Sequence, residues 1–177
     1  PGSRMHLALT EEQALIQDTA RRFAASELAP VAAEVERPEF RATYLANLKK
    51  LAELGFMGLN VDPAHGGSGV GVVAFSVAVT EVASACASTA VAMSVNNMVA
   101  EVIQAIGNDE QKQRYLERIC NGEYPAAGFC LSEAGAGSDV AALRCEAKKD
   151  GDSYRLSGPK LWITTGSEAG FFVVFAR

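Results

Sequence analysis

The period of the apolar residues changes once along this chain, near Pro125. Before that point they recur at helical spacing. After it they come in short β-type runs separated by turn residues. A helical stripe and a pleated face bury themselves in different ways, so the chain must build two unlike regions. Thr10-Glu11-Glu12-Gln13 has the form of a capping box, and Leu15, Ile16, Ala20, Phe23 and Ala24 follow on one face. This predicts a helix ending near Pro30. Tyr44 to Leu54 predicts a second, with Leu45, Leu48, Leu51 and Ala52 inward and Gly55 as its stop. Asp62 to Gly71 reads as a loop, because Pro63 and Gly66-Gly67-Ser68-Gly69 suit no regular element. Two apolar, buried helices are expected over roughly 70–84 and 88–106. A capped helix then opens at Asn108, runs to about Cys120 and stops at Asn121-Gly122.

Beyond Pro125, strands are expected at Ala126–Ser132, Leu143–Lys149, Ser153–Ser157, Leu161–Thr164 and Phe171–Ala176, the last buried. Asp150-Gly151-Asp152 and Gly158-Pro159 are the turns. Five short strands over so few residues do not close a barrel. The expected fold class is therefore α+β in two domains. An N-terminal all-α helical bundle occupies 5–124, and an incomplete antiparallel β-barrel-like domain occupies 125–177. Residues 1–4, beginning Pro1-Gly2-Ser3, read as an expression scar, and no targeting segment follows.

A net charge of −5 without a Lys/Arg cluster argues against a nucleic-acid partner. Cys86, Cys120, Cys130 and Cys145 form no C-x-x-C pair and there are two histidines, so no metal site is expected. His6 and His65 have no partner placed by sequence. Val70 to Val95 carries one charge, Glu81. Its many Ser and Thr residues and the lack of flanking cations nevertheless argue against a membrane span. Glu81 and Glu101 are expected in caps, surface positions or ion pairs rather than in a catalytic dyad.

Gly135-Ala136-Gly137-Ser138-Asp139 is a small-residue turn after a predicted strand. Its glycines permit positive φ and close approach of backbone N–H groups to an anion, and Ser138 adds a hydroxyl. Alone this is a common turn. It is not the G-x-G-x-x-G fingerprint, and Gly66-Gly67-Ser68-Gly69 lacks the Lys-Ser/Thr ending of a phosphate loop.

The neighbours sharpen the reading. Cys130 to Ala142 (Cys-Leu-Ser-Glu-Ala-Gly-Ala-Gly-Ser-Asp-Val-Ala-Ala) resembles the signature of the acyl-CoA dehydrogenase family, with Ala134 where the family often has Pro. Lys160-Leu161-Trp162-Ile163-Thr164-Thr165-Gly166 resembles its second segment. Pro63 to Gly69 resembles an earlier loop, with His65 in place of the usual Tyr. Asn108 to Tyr124 resembles the helix and turn before the β domain. The resemblance spans Leu7 to Arg177.

That resemblance implies an FAD site over Phe129 to Ser138, Cys130 included. Leu131 and Ser132 would meet the pyrimidine edge of the flavin. Gly137 and Ser138 would reach the pyrophosphate, and Ser138 would also touch the acyl-CoA substrate. Trp162, Ile163 and Thr164 would line the opposite side, with Thr164 near N5. Donors at these atoms would stabilise the reduced ring. The implied reaction is α,β-dehydrogenation of an acyl-CoA thioester to trans-2-enoyl-CoA, with electron-transferring flavoprotein as acceptor. An acyl-CoA oxidase or a flavin monooxygenase on the same scaffold is the alternative, as is an inactive interaction fragment. The family's base is a Glu on a C-terminal helical domain, so no catalytic residue is assigned here, and the 177 residues alone are expected to be inactive. Full-length relatives imply a homotetramer or dimer in the cytoplasm or mitochondrial matrix. The helices over 70–106 are expected to form one wall of the acyl pocket.

Overall fold

The computed structural model describes residues 8–177, so the expected scar and His6 fall outside the described residues. Helix α1 spans Glu11–Phe23, and the Thr10 capping box forms: the Thr10 hydroxyl accepts from Gln13 N, and the Gln13 side chain accepts from Thr10 N. A π turn, Ala24–Leu28, extends it and sinks Leu28 into the core. Helix α2 spans Arg41–Glu53 and buries Leu48, Leu51 and Ala52, while Leu45 is half-buried. Helices α3 (Gly71–Ala85) and α4 (Ala87–Ile106) meet at Cys86, whose extended backbone breaks the run. Helix α5, Asp109–Cys120, carries the second capping box, built on Asn108 and Gln111.

Of α3 and α4, helix α4 is the more deeply buried, although its Val91, Met98 and Ile106 are exposed. Helix α3 buries the stripe Ala74, Ala78 and Val82 and leaves Val72 and Val73 exposed. The sequence between 62 and 71 is a loop apart from one 3-10 turn, Pro63–His65, capped by the Asp62 side chain, and Ser68 N and Val70 N tie it to Gly58 O and Leu59 O. A Cβ on Gly67 would lie 2.1 Å from the Val61 carbonyl oxygen, so the backbone approach itself requires glycine. This accounts for that glycine without any phosphate-binding role. No described helix is long and apolar enough to cross a membrane.

Helix α4 is shared by two apolar clusters. Its first half packs with Phe23, Leu28, Leu48, Leu51, Met57 and Val82. Its second half packs, through Val99, Ala100 and Ile103, with Leu116 and Ile119 of α5 and with Ala127. Two asparagines inside α4 tie it to the surrounding backbone. Asn96 donates to Met57 O and accepts from Ala127 N, and Asn97 accepts from Leu59 N and donates to Phe56 O.

The β region has four strands: β1 (Ala127–Cys130), β2 (Glu146–Asp150), β3 (Ser153–Ser157) and β4 (Phe171–Val174). They form two two-stranded sheets, and no barrel closes among the described residues. The β2–β3 hairpin is antiparallel, with Glu146 opposite Ser157. The β1–β4 pair is parallel, with Ala127 opposite Phe171. A long connection, not a hairpin turn, joins β1 to β4, so nothing local imposes on this pair the antiparallel direction expected of the β domain in general. Leu161–Thr164 is not a strand: Trp162 and Thr165 both have positive φ, 58° and 56°. Strand β2 begins at Glu146 rather than Leu143, because the amides of Arg144 and Cys145 are taken by the Glu133 carboxylate. Strand β4 is half-buried, not buried, with Phe172 open to solvent.

Candidate functional site

Strand β1 delivers the chain to Leu131 and Ser132 at the end of the parallel pair, where Phe175 N donates to Cys130 O. Beyond it, Glu133 N donates to Ala136 O at 3.0 Å and Ala136 N returns the bond to Glu133 O at 3.1 Å. This closes a tight turn over Ala134 and Gly135. The expected left-handed glycines are absent: neither Gly135 nor Gly137 has positive φ. What they supply is room, since a Cβ on either would meet nothing within 4 Å.

The second segment is drawn to the first. Leu161 N donates to Ser132 O at 2.9 Å. Lys160 Nζ donates to Leu131 O at 3.1 Å and to Glu133 Oε1 at 2.7 Å. The structure thus brings Leu131, Ser132 and the start of the 160–164 segment together. It leaves Gly137, Ser138 and Trp162 on the surface, with Ile163 and Thr164 half-buried. Trp162 is 93% exposed. The hydroxyls of Ser132, Ser138 and Thr164, and the amides of Gly137 and Ser138, make no hydrogen bond to the described residues. Phe129 and Cys130 differ from these. Phe129 packs on Phe175 with ring centroids 4.9 Å apart, and Cys130 is buried, so their side chains support the segment from below.

Sequence reasoning gave no role to Glu133 or Lys160, although both stand inside the quoted motifs. Their side chains are 6% and 10% exposed. The Glu133 carboxyl is held down at about 2, first by the hydrogen bond from Lys160 and then by that from the Arg144 amide, against the opposing effect of burial. It is therefore a carboxylate at neutral pH. Burial pushes the Cys130 thiol up, although Lys160 nearby opposes it. No cluster of three His, Cys, Asp or Glu among the described residues could hold a metal.

A cavity of about 750 Å³ opens beside the second segment. Thr164, Thr165 and Glu168 form one side. The N-terminus of α4, through Ala87, Ser88 and Val91, and residues around Val35, Pro38 and Tyr44 form the others. Of the two helices over 70–106, α4 lines this cavity and α3 does not. Arg41 donates from Nε and Nη2 to Glu168 Oε2 at 3.0 and 2.8 Å, tying α2 to the segment after Thr165. Ser88 Oγ donates to Glu36. The Tyr44 hydroxyl is pushed up to about 12, chiefly by burial and further by Cys86, Glu168 and Glu36, so it stays protonated. None of Glu36, Arg41, Tyr44 and Glu168 was legible as a cavity residue, because they come from distant stretches with no shared motif.

The model of the acyl-CoA dehydrogenase N-terminal domain matches residues 10–123, and that of the middle domain matches residues 128–177. The short-chain specific acyl-CoA dehydrogenase of mouse mitochondria is 41% identical over 169 residues, covering 95% of this chain and 40% of that protein. A solved structure described as the electron transferring flavoprotein of Acidaminococcus fermentans has a chain 36% identical, with a TM-score of 0.88. The match covers 97% of this chain and 45% of that one. The acyl-CoA dehydrogenase of Bacillus anthracis, solved in complex with FAD, is 29% identical with a TM-score of 0.87, over 96% of this chain and 29% of that chain. The chain therefore spans less than half the length of these relatives. Two consecutive family models, matched in order over nearly all of the sequence, mean that this chain belongs to the acyl-CoA dehydrogenase family.

Proposed function

We propose that the protein containing this chain is an FAD-dependent acyl-CoA dehydrogenase that converts a short acyl-CoA thioester to its trans-2-enoyl product. One observation carries this reading. Two segments distant in sequence are joined at Ser132–Leu161 and present unpaired donors and an exposed tryptophan beside a cavity partly lined by Thr164. The donor set fits FAD. The free Gly137 and Ser138 amides, with the Ser138 hydroxyl, suit a pyrophosphate. Leu131 and Ser132 suit the pyrimidine edge, Trp162, Ile163 and Thr164 suit the other side of a planar ring, and the Thr164 hydroxyl would serve as a donor near N5. Phe129 and Cys130 hold the segment's backbone in place. Bound there, FAD supplies a two-electron acceptor for the substrate's β-hydride.

The chain's own residues then orient the reactants. Ser138 is assigned to the acyl-CoA as well as to the cofactor. Val35, Pro38, Ala87 and Val91 give the acyl group an apolar wall, and the Arg41–Glu168 pair bounds it. The Cα base is assigned to no residue here. The two cavity carboxylates are occupied, Glu36 by Ser88 and Glu168 by Arg41. Named relatives support a short chain, FAD and an electron-transferring flavoprotein as acceptor. A homotetramer or dimer in the bacterial cytoplasm or mitochondrial matrix completes the reading. The intact protein should purify with about one FAD per chain and reduce an artificial electron acceptor with butyryl-CoA. A flavin-free protein that stays colourless on added FAD would overturn this. Rapid reoxidation by oxygen would favour the oxidase.

A further inference from the structure

The two candidate flavin-facing segments share no strand ladder. Their relative placement depends on a few links, and most of these pass through one ion pair. Lys160 and Glu133 gather four hydrogen bonds: Lys160 Nζ to Leu131 O and to Glu133 Oε1, Arg144 N to Glu133 Oε2, and Cys145 N to Glu133 Oε1. One side chain thus holds the backbone carbonyl next to Ser132, and the other holds the chain where it enters β2. Both are nearly removed from solvent. Buried ion pairs stabilise a fold weakly, because desolvation offsets most of their attraction. Their better-attested contribution is a defined geometry, and here the geometry fixed is the spacing between Leu131–Ser132 and Leu161–Thr164.

Resting on the flavin reading above, we propose that Glu133 and Lys160 are a positioning pair that sets the two flavin-facing segments at their working separation. Neither side chain has to touch the cofactor for this. Lys160 spends two donors on Leu131 and Glu133, and Glu133 accepts three bonds from the protein. Losing the pair frees the Leu131 carbonyl and leaves the Leu161 N–Ser132 O bond as the one hydrogen bond between the two segments among the described residues, so their spacing is less firmly set. The donors on the two segments then no longer fall at the spacing one rigid ring requires.

The test uses the intact protein with FAD, comparing wild type with Lys160→Met, Lys160→Arg and Glu133→Gln. The readouts are FAD affinity by fluorescence titration, the flavin absorption spectrum, and the thermal midpoint of the apoprotein. Lys160→Met should weaken FAD binding by about tenfold or more, by analogy with the loss of residues that orient metal ligands, and shift the flavin maxima. Lys160→Arg, which keeps the charge and donors, should recover most of the affinity. If Lys160→Met fails to fold, the near-isosteric Glu133→Gln gives the same comparison. Wild-type affinity and spectrum in a folded Lys160→Met or Glu133→Gln variant would overturn the positioning role and leave the flavin site standing. A wild-type protein that binds no FAD would remove the flavin reading itself, and this inference with it.

Discussion

Trp162 and Glu133 break local rules in opposite directions. A tryptophan with φ of 58° and 93% exposure gains almost nothing from folding. A non-glycine residue in that region costs about 1–2 kcal/mol. The rest of the fold carries that strain, which fits a ring held out for a planar ligand. Trp162→Ala should therefore change the unfolding free energy of the apoprotein by no more than about 0.5 kcal/mol, while FAD affinity falls clearly. A large loss of stability with unchanged FAD affinity would mark Trp162 as a packing residue instead. Glu133 is a charged residue placed inside. Its folded carboxyl sits at about 2, below the usual carboxylate range, so it contributes stability that is full above that range and lost as pH falls toward 2. Glu133→Gln should flatten the acid limb of a stability profile between about pH 5 and pH 2. Urea midpoints measured across that window check this, and parallel curves for the two proteins would contradict it.

At the scale of elements, α4 organises the molecule because both apolar clusters use it. Asn97 accepts from Leu59 N and donates to Phe56 O and Met93 O, all in buried surroundings. Asn97→Ala should cost about 2–4 kcal/mol, since it orphans buried backbone groups and leaves a void. Chemical denaturation reads this directly. Gly128 in β1 is a second tight point, where an added Cβ would lie 2.7 Å from Phe172 Cδ1. Gly128→Ala should cost no more than about 1 kcal/mol, because the group in the way is the side chain of the solvent-open Phe172, which can turn aside. These elements also show what the sequence could convey. The capping boxes at Thr10 and Asn108 and the β3 strand were legible, because each is specified by residues a few positions apart. The parallel β1–β4 pairing and the non-strand conformation of Leu161–Thr164 were not, because long-range contacts decide them. The same division runs through the site. Ser138 and Trp162 belong to motifs and could be named, whereas the Lys160–Glu133 link and the Arg41–Glu168 bridge exist only in three dimensions.

Across the whole molecule, the helical part and the β part meet around the cavity beside Thr164. Arg41 and Glu168 span that junction, and Val91 projects from α4 onto the same wall. Val91→Phe should fill part of the cavity and, on the proposed function, move the preference of the intact protein toward shorter acyl groups, read as the ratio of kcat/KM between butyryl- and octanoyl-CoA. An unchanged ratio would mean that the acyl group lies elsewhere. If the segments joined at Ser132 and Leu161 hold a flavin facing an acyl-CoA, anaerobic titration of the intact, FAD-loaded protein with butyryl-CoA, followed by visible absorbance, will reveal it. Addition of butyryl-CoA should bleach the oxidised flavin band and form the trans-2-enoyl thioester. A flavin band that stays unchanged with butyryl-CoA and with every longer acyl-CoA would contradict it.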